Sequence, residues 1–316
     1  MAASARQAGF ISTQDTSIQR SFVMTNLIKS IGVGETPFLD RLQTLAIDFK
    51  KMGSVSEGVT WYYDSVPEAA ATENEYLEGS EAPDAEHFAN TPMTNHLQIS
   101  KAAYGMTRSQ LAQQSGTLED LPYQKSKSLI ALKKDVNKAL ITNGDAVKRD
   151  KARNIKGRAF GLGNFFGTHN EIDAGGATLN PELLEAICTL AGDKGVSITH
   201  AMCSSTQRSA LNKMMRSDLR AQYGNAIFAG ENIRYLTNIQ GLDDNAKVEV
   251  FTENNIPKTD LIIYCNTELG LISLREEFGE EITQKGSDTV KYQNLMEWSF
   301  WAATPMSVLR ITNLKV

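Results

Sequence analysis

Residues 52–100 contain no lysine or arginine, yet they carry Glu57, Asp64, Glu68, Glu73, Glu75, Glu78, Glu81, Asp84 and Glu86. The segment beyond is the reverse. Lys125, Lys127, Lys133, Lys134 and Lys138, then Lys148, Arg149, Lys151, Arg153, Lys156 and Arg158, face only Asp135, Asp145 and Asp150. A solvated loop followed by a solvated helix face would also carry such charges. The acidic stretch, however, is not of disordered composition. WYYDSV and HLQIS have the β-branched and aromatic content of strands, and EGSEAPDAEHFANTP between them is rich in turn formers. The pattern predicts a long two-stranded flap that leaves the body near Val59 and returns near Ala103.

The reach of that flap constrains the molecule. Each leg of about 20 residues would project on the order of 60 Å at roughly 3.3 Å per residue. A body of this size is only about 40 Å across by radius-of-gyration scaling. An isolated two-stranded ribbon is marginal in water. A flap that outreaches its own body must therefore rest on another molecule, and an acidic flap would be oriented by a basic partner surface.

Helical periodicity is clearest over residues 117–142. Thr117 is the expected N-cap, Leu129, Leu132, Val136 and Leu140 share one face, and Asn143-Gly144 stops the helix. A helix this long with one apolar stripe and many outward lysines is expected to lie across a sheet, wet on its far side. Asn180-Pro181 opens a second helix with Leu183, Leu184, Ile187 and Ala191 inward, closing at Gly195. A strand is expected over 196–203, and Ser205 is expected to cap a third helix through Leu219. Strand-like stretches follow at 233–239, 247–251, 261–265 and 271–274. Two longer ones, 290–302 and 306–314, are separated by Thr304-Pro305.

Motifs that carry chemistry are missing. Gly161-Leu162-Gly163-Asn164-Phe165-Phe166-Gly167 has GxGxxxG spacing, one residue longer than a dinucleotide loop, and reads as a glycine-rich connector. His87, His96, His169 and His200 are scattered, and no HExxH or GxSxG occurs. Glu276-Glu277 and Glu280-Glu281 lack a calcium-loop pattern and read as a solvated face. Cys188, Cys203 and Cys265 are expected to be buried, reduced thiols. No catalytic residue, metal or cofactor is expected. A net charge of -5 excludes coating nucleic acid over the whole surface, though not with one basic face. No apolar run approaches membrane-spanning length.

Several segments together resemble one family. They are Thr36-Pro37-Phe38-Leu39; Glu78-Gly79 with Glu81-Ala82-Pro83; Asn95-His96-Leu97-Gln98-Ile99-Ser100-Lys101; LIALKKDVNKALITN in the long helix; Lys285-Gly286-Ser287-Asp288; and MEWSFWAATPMSVLRITNL. In this order they resemble the major capsid proteins of tailed bacteriophages with the Hong Kong 97 fold. Gly286-Ser287-Asp288 stands where the family has Gly-Asp, and residues 150–270 match weakly.

The resemblance implies an α+β fold with an N-terminal arm (1–50) and an extended loop (51–104). It further implies a peripheral domain (105–178 and 285–316) built on the long helix, and an axial domain (179–284). It implies assembly with copies of itself into pentamers and hexamers that form an icosahedral-type shell. That shell is a virion capsid, assembled in the host cytoplasm, with no membrane. Packaged double-stranded DNA held by non-specific phosphate contacts is an implied partner, as are portal, scaffold and cement proteins. The extended loop of this fold lies over an adjacent subunit. The expected inter-subunit contact therefore joins Glu73, Glu75, Glu78 and Glu81 to Lys125, Lys127, Lys133, Lys134 and Lys138. Some members cross-link their shells through a lysine of that loop, and this loop has none between Lys51 and Lys101. The alternatives are an encapsulin-like nanocompartment shell, or a soluble α/β enzyme or ligand-binding protein.

Overall fold

The computed structural model describes residues 36–45, 58–64, 78, 90–112, 121–167, 169–223, 235–236, 248–282, 286 and 288–316. For 215–223, 235–236 and 275–280 the description is of the backbone. Expectations for the N-terminal arm before Thr36, for Thr117 as a cap and for His87 fall outside the described residues.

In chain order the strands and helices begin with β1 (Gln43–Leu45), β2 (Val59–Tyr63), β3 (Thr91–Asn95) and β4 (Gln98–Thr107). Helices α1 (Arg108–Ala112) and α2 (Leu121–Thr142) follow, then β5 (Glu171–Asp173), α3 (Pro181–Asp193), β6 (His200–Cys203) and α4 (Ser205–Tyr223). The remainder is strand: β7 (Tyr235–Leu236), β8 (Val248–Thr252), β9 (Leu261–Tyr264), β10 (Leu269–Glu281), β11 (Thr289–Ala302) and β12 (Val308–Thr312).

These strands form a four-stranded sheet ordered β1-β10-β11-β4, a six-stranded sheet ordered β5-β12-β9-β6-β8-β7, and the two-stranded ribbon β2-β3. Helix α2 buries Leu132, Val136, Leu140 and Ile141 at helical spacing, and packs on β4 and β11. Ser128 rather than Leu129 occupies the buried position one turn earlier. At 1.5 Å per residue its 22 residues span about 33 Å.

The central strands of the six-stranded sheet are buried on both faces, which LIIY of β9 records as an unbroken apolar run. In β9, Ile262 and Tyr264 join the core under α2, while Leu261 and Ile263 point into a second core beneath α3 and α4. Val308 and Leu309 of β12 divide in the same way. One sheet is thus the shared wall of two cores. Helix α3 begins as expected, with Asn180 Oδ1 accepting from Leu183 N at 2.9 Å.

Polar contacts clamp the N-terminal segment onto this wall. Glu253 is only 2% exposed. Its Oε2 accepts from Asn137 Nδ2 of α2 (3.1 Å) and from Phe38 N (3.4 Å), while Oε1 accepts from Asn255 N and Nδ2. Asn137 Oδ1 in turn accepts from Leu39 N at 2.9 Å. Phe38 is fully buried and meets Tyr264 edge-to-face. Arg41 Nη2 lies 2.8 Å from Glu249 Oε1, and its guanidinium covers the Phe251 ring. The TPFL segment is therefore a fastener joining the long helix to the six-stranded sheet.

Three expectations are corrected. The return leg of the ribbon is Thr91–Asn95, not HLQIS: β3 pairs with β2 in the register Val59↔Asn95 to Tyr63↔Thr91, whereas β4 pairs with β11. Pro92 is tolerated there because a two-stranded ribbon leaves one side of each strand without a ladder partner. Helix α4 is capped by Ser204, whose Oγ accepts from Gln207 N, not by Ser205. The strand read at 271–274 extends over Leu269–Glu281, because pairing with β11, interrupted by two register shifts, carries it through the glutamates. The two closing strands lie in different sheets, though both feed the core under α2. β11 lies inside the four-stranded sheet and β12 inside the six-stranded one, with Pro305 turning the chain between them.

Replacing Glu253 by alanine strands the amides of Phe38, Asn137 and Asn255 in the interior. We expect a loss of about 3 kcal/mol or more in unfolding free energy, read by urea denaturation of the unassembled protein. Unchanged stability would show that this cluster does not hold the fastener.

Candidate assembly surface

The root of the ribbon is fixed by three residues. Gly58 has φ +95°, and a Cβ there would fall 2.4 Å from Asn95 O, so only glycine fits. Trp61 donates from Nε1 to Ala302 O at 2.8 Å and packs on Phe160. Asn95, fully buried, donates from Nδ2 to Phe300 O (2.6 Å), while its Oδ1 accepts from Phe160 N and His96 N, both at 2.8 Å. The ribbon therefore leaves the body in a set direction. Its outward side presents Thr60, Tyr62, Pro92 and Thr94, with Tyr62 68% exposed.

The basic residues fall into two groups. On α2, Lys125 and Lys138 are exposed, whereas Lys127, Lys133 and Lys134 are half-buried and the Lys127 ammonium lies 5.4 Å from the Tyr123 ring centroid. The second group sits on a short hairpin closed by the bridges Val147↔Arg158 and Asp150↔Ile155. Asp150 Oδ1 accepts from Ala152 N and Arg153 N, and Asn154 turns the tip at φ +55°. Arg149 is exposed but tied to the body, its Nη2 2.7 Å from the buried carboxylate of Glu297. Lys148, Lys151, Arg153, Lys156 and Arg158 remain exposed.

Of the expected acidic partners, Glu78 is exposed in a turn, and Glu73, Glu75 and Glu81 lie outside the described residues. The anchors Gly58, Trp61 and Asn95 were not singled out from sequence. A lone glycine before a strand offers little signal, and a buried asparagine looks like any surface asparagine until its partners are known.

Several other described residues serve the fold. The GxGxxxG stretch is a packing device: a Cβ on Gly161 would lie 2.2 Å from Leu140 O, so the chain runs tight against the last turn of α2. Burial pushes the Cys188 and Cys203 thiols up to about 11, away from nucleophilic use. His200 stacks on Tyr264 and lies near Glu249, and burial holds its pKa below the ordinary value. Burial and then the Lys148 ammonium do the same for His96. Among the described residues no group of three or more His, Cys, Asp or Glu side chains could hold a metal. Surfaces, charge and anchored extensions are what this geometry offers.

A family model described as SU10 major capsid protein matches residues 10–315. No curated protein sequence matches the chain. Among solved structures, Gordonia phage Cozz is similar over 100% of this chain and 99% of that one, at 12% identity and a TM-score of 0.63. The cyanophage A-1(L) capsid is similar over 93% and 96%, at 12% identity and 0.62. The holo-SrpI encapsulin complex from Synechococcus elongatus PCC 7942 is similar over 92% and 93%, at 10% identity and 0.55. At such identities these likenesses speak for a shared α+β fold of the Hong Kong 97 type, which phage capsids and encapsulins have in common. The family match decides between them: the chain belongs to the SU10 major capsid protein family and is the shell-forming protein of a tailed phage.

Proposed function

We propose that the shell is built from five- and six-membered rings in which the acidic ribbon of each copy lies over the basic segment of the next. The observation that carries this reading is the locked root of the ribbon. Gly58, Trp61 and Asn95 aim both legs off the body, and the intervening sequence has carboxylates but no cation of its own. Glu73, Glu75, Glu78 and Glu81 then meet cations of a neighbour's 125–158 segment, with Lys125, Lys127, Lys133, Lys134 and Lys138 on its helix. Exposed pairs contribute roughly 0–1 kcal/mol each. They set register and orientation, while apolar burial over on the order of 2,000 Å² per contact supplies adhesion.

In this reading residues 105–178 and 285–316, built on α2, are the peripheral domain, and residues 179–284, with α3 and α4, are the axial domain near the ring centre. The shared wall and the TPFL fastener support treating them as one rigid building block. Its work is assembly and not catalysis, in keeping with thiols held protonated and polar side chains spent on the fold. Assembly takes place in the host cytoplasm, with portal, scaffold and cement proteins as further partners. Packaged double-stranded DNA is held by sequence-independent, salt-sensitive phosphate contacts.

Changing Glu73, Glu75, Glu78 and Glu81 together to lysine is expected to leave a folded monomer that forms no rings or shells. Negative-stain microscopy beside size-exclusion chromatography reads the result, and normal particles would refute the pairing. With no lysine between Lys51 and Lys101, mature particles are expected to give a single monomer band on a denaturing gel. A ladder of covalent oligomers would sink that expectation.

A further inference from the structure

We propose that the hairpin over residues 147–158 is the seat for the ribbon segment 73–81 of another copy of this chain. The inference rests on the ribbon-over-neighbour reading above and narrows it from a long basic segment to one small platform.

Three observations single the hairpin out. The first is how the cations are spent. On α2 only Lys125 and Lys138 of the five lysines are exposed, far apart along the helix, and Arg149, itself exposed, is tied to Glu297. The hairpin instead presents Lys148, Lys151, Arg153, Lys156 and Arg158 to solvent. Its carboxylate Asp150 is largely occupied: Oδ1 by two backbone amides, and Oδ2 at 3.6 Å from Arg153 Nε.

The second is rigidity. Val147 and Arg158 exchange both backbone hydrogen bonds (2.9 and 3.0 Å), as do Asp150 and Ile155 (3.1 and 2.8 Å), and Arg158 Nε donates to Asp145 O. A platform already ordered loses little entropy when a partner arrives.

The third observation decides the class of partner. Ile155 lies among these cations and is 39% exposed. A phosphate backbone offers charge but no apolar surface to cover it. The segment Glu73-Asn74-Glu75-Tyr76-Leu77-Glu78-Gly79-Ser80-Glu81 offers both, with carboxylates on either side of Tyr76-Leu77. Glu78 of this segment is exposed in a turn. The segment is thus the acidic and apolar complement of the basic and apolar hairpin.

The test uses the full chain in four forms: wild type, the hairpin variant Lys151→Glu/Arg153→Glu/Lys156→Glu, the ribbon variant Glu73→Lys/Glu75→Lys/Glu78→Lys/Glu81→Lys, and the two combined. Arg149 and Arg158, which hold the hairpin, stay unchanged, and circular dichroism checks that each variant is folded. Each single variant is expected to lose particles in negative stain. The combined variant is expected to regain them. An equimolar mixture of the two single variants is expected to form only rings with an even number of subunits, because unlike copies must alternate. Normal shells from the hairpin variant would overturn the seat while leaving the ribbon-over-neighbour reading intact. Normal shells from the ribbon variant would overturn that reading itself. Hairpin-variant shells that hold less nucleic acid would give the hairpin to the genome and overturn the proposal. So would rescue by the combined variant without rescue by the mixture, since the ribbon would then sit on its own body. Rescue in neither form would overturn it as well.

Discussion

Glu253 stands at the junction on which the rest of the molecule depends. Its carboxylate draws together backbone from the TPFL segment, a side chain from the middle of α2 and the loop after β8, positions far apart in sequence and all inside the protein. A buried carboxylate is costly unless its oxygens are satisfied. Here four N–H donors reach it, and each comes from a segment that must be in place for the site to exist. The cluster thus favours one relative arrangement of helix, sheet and N-terminal segment over others that would bury similar apolar area. For a building block, fixing that arrangement matters more than the depth of the energy well. An error of a few degrees in each copy would accumulate around a closed shell.

The shared wall reinforces the same constraint. A sheet packed on both faces cannot slide relative to one core without disturbing the other, because the side chains of β9 and β12 alternate between them. The ribbon root is built on this frame. Trp61 and Asn95 hydrogen-bond to the backbone of Ala302 and Phe300, near the end of β11, so the direction of the ribbon is inherited from the four-stranded sheet.

Much of this was legible in the sequence because it is written in local patterns. The apolar stripe of α2, the Asn180-Pro181 start of α3, the unbroken run LIIY and the aromatic-rich MEWSFWA each report their own environment. The charge asymmetry between 52–100 and 125–158 needs no structure to see. What stayed hidden depends on partners distant in the chain. Thr91–Asn95 reads as a turn, and becomes a strand only because Val59–Tyr63 lies beside it. Glu280 and Glu281 read as a solvated face, and lie in a strand because β11 is long enough to pair with them. Asn95, Asn137 and Glu253 look like surface residues in any composition count, and prove to be the polar fasteners of the interior. The split of the final two strands between two sheets is likewise a fact of pairing that no periodicity reveals.

That split has a consequence for the order of events during synthesis. β11 is an interior strand of one sheet and β12 an interior strand of the other, with β4 and β10 flanking the first and β5 and β9 the second. Until residues 289–312 have left the ribosome, β4 has no neighbour in its sheet and β5 is cut off from β9. A nascent chain therefore has neither sheet complete before that segment emerges. Any surface that depends on either sheet is finished only after residue 312 is out.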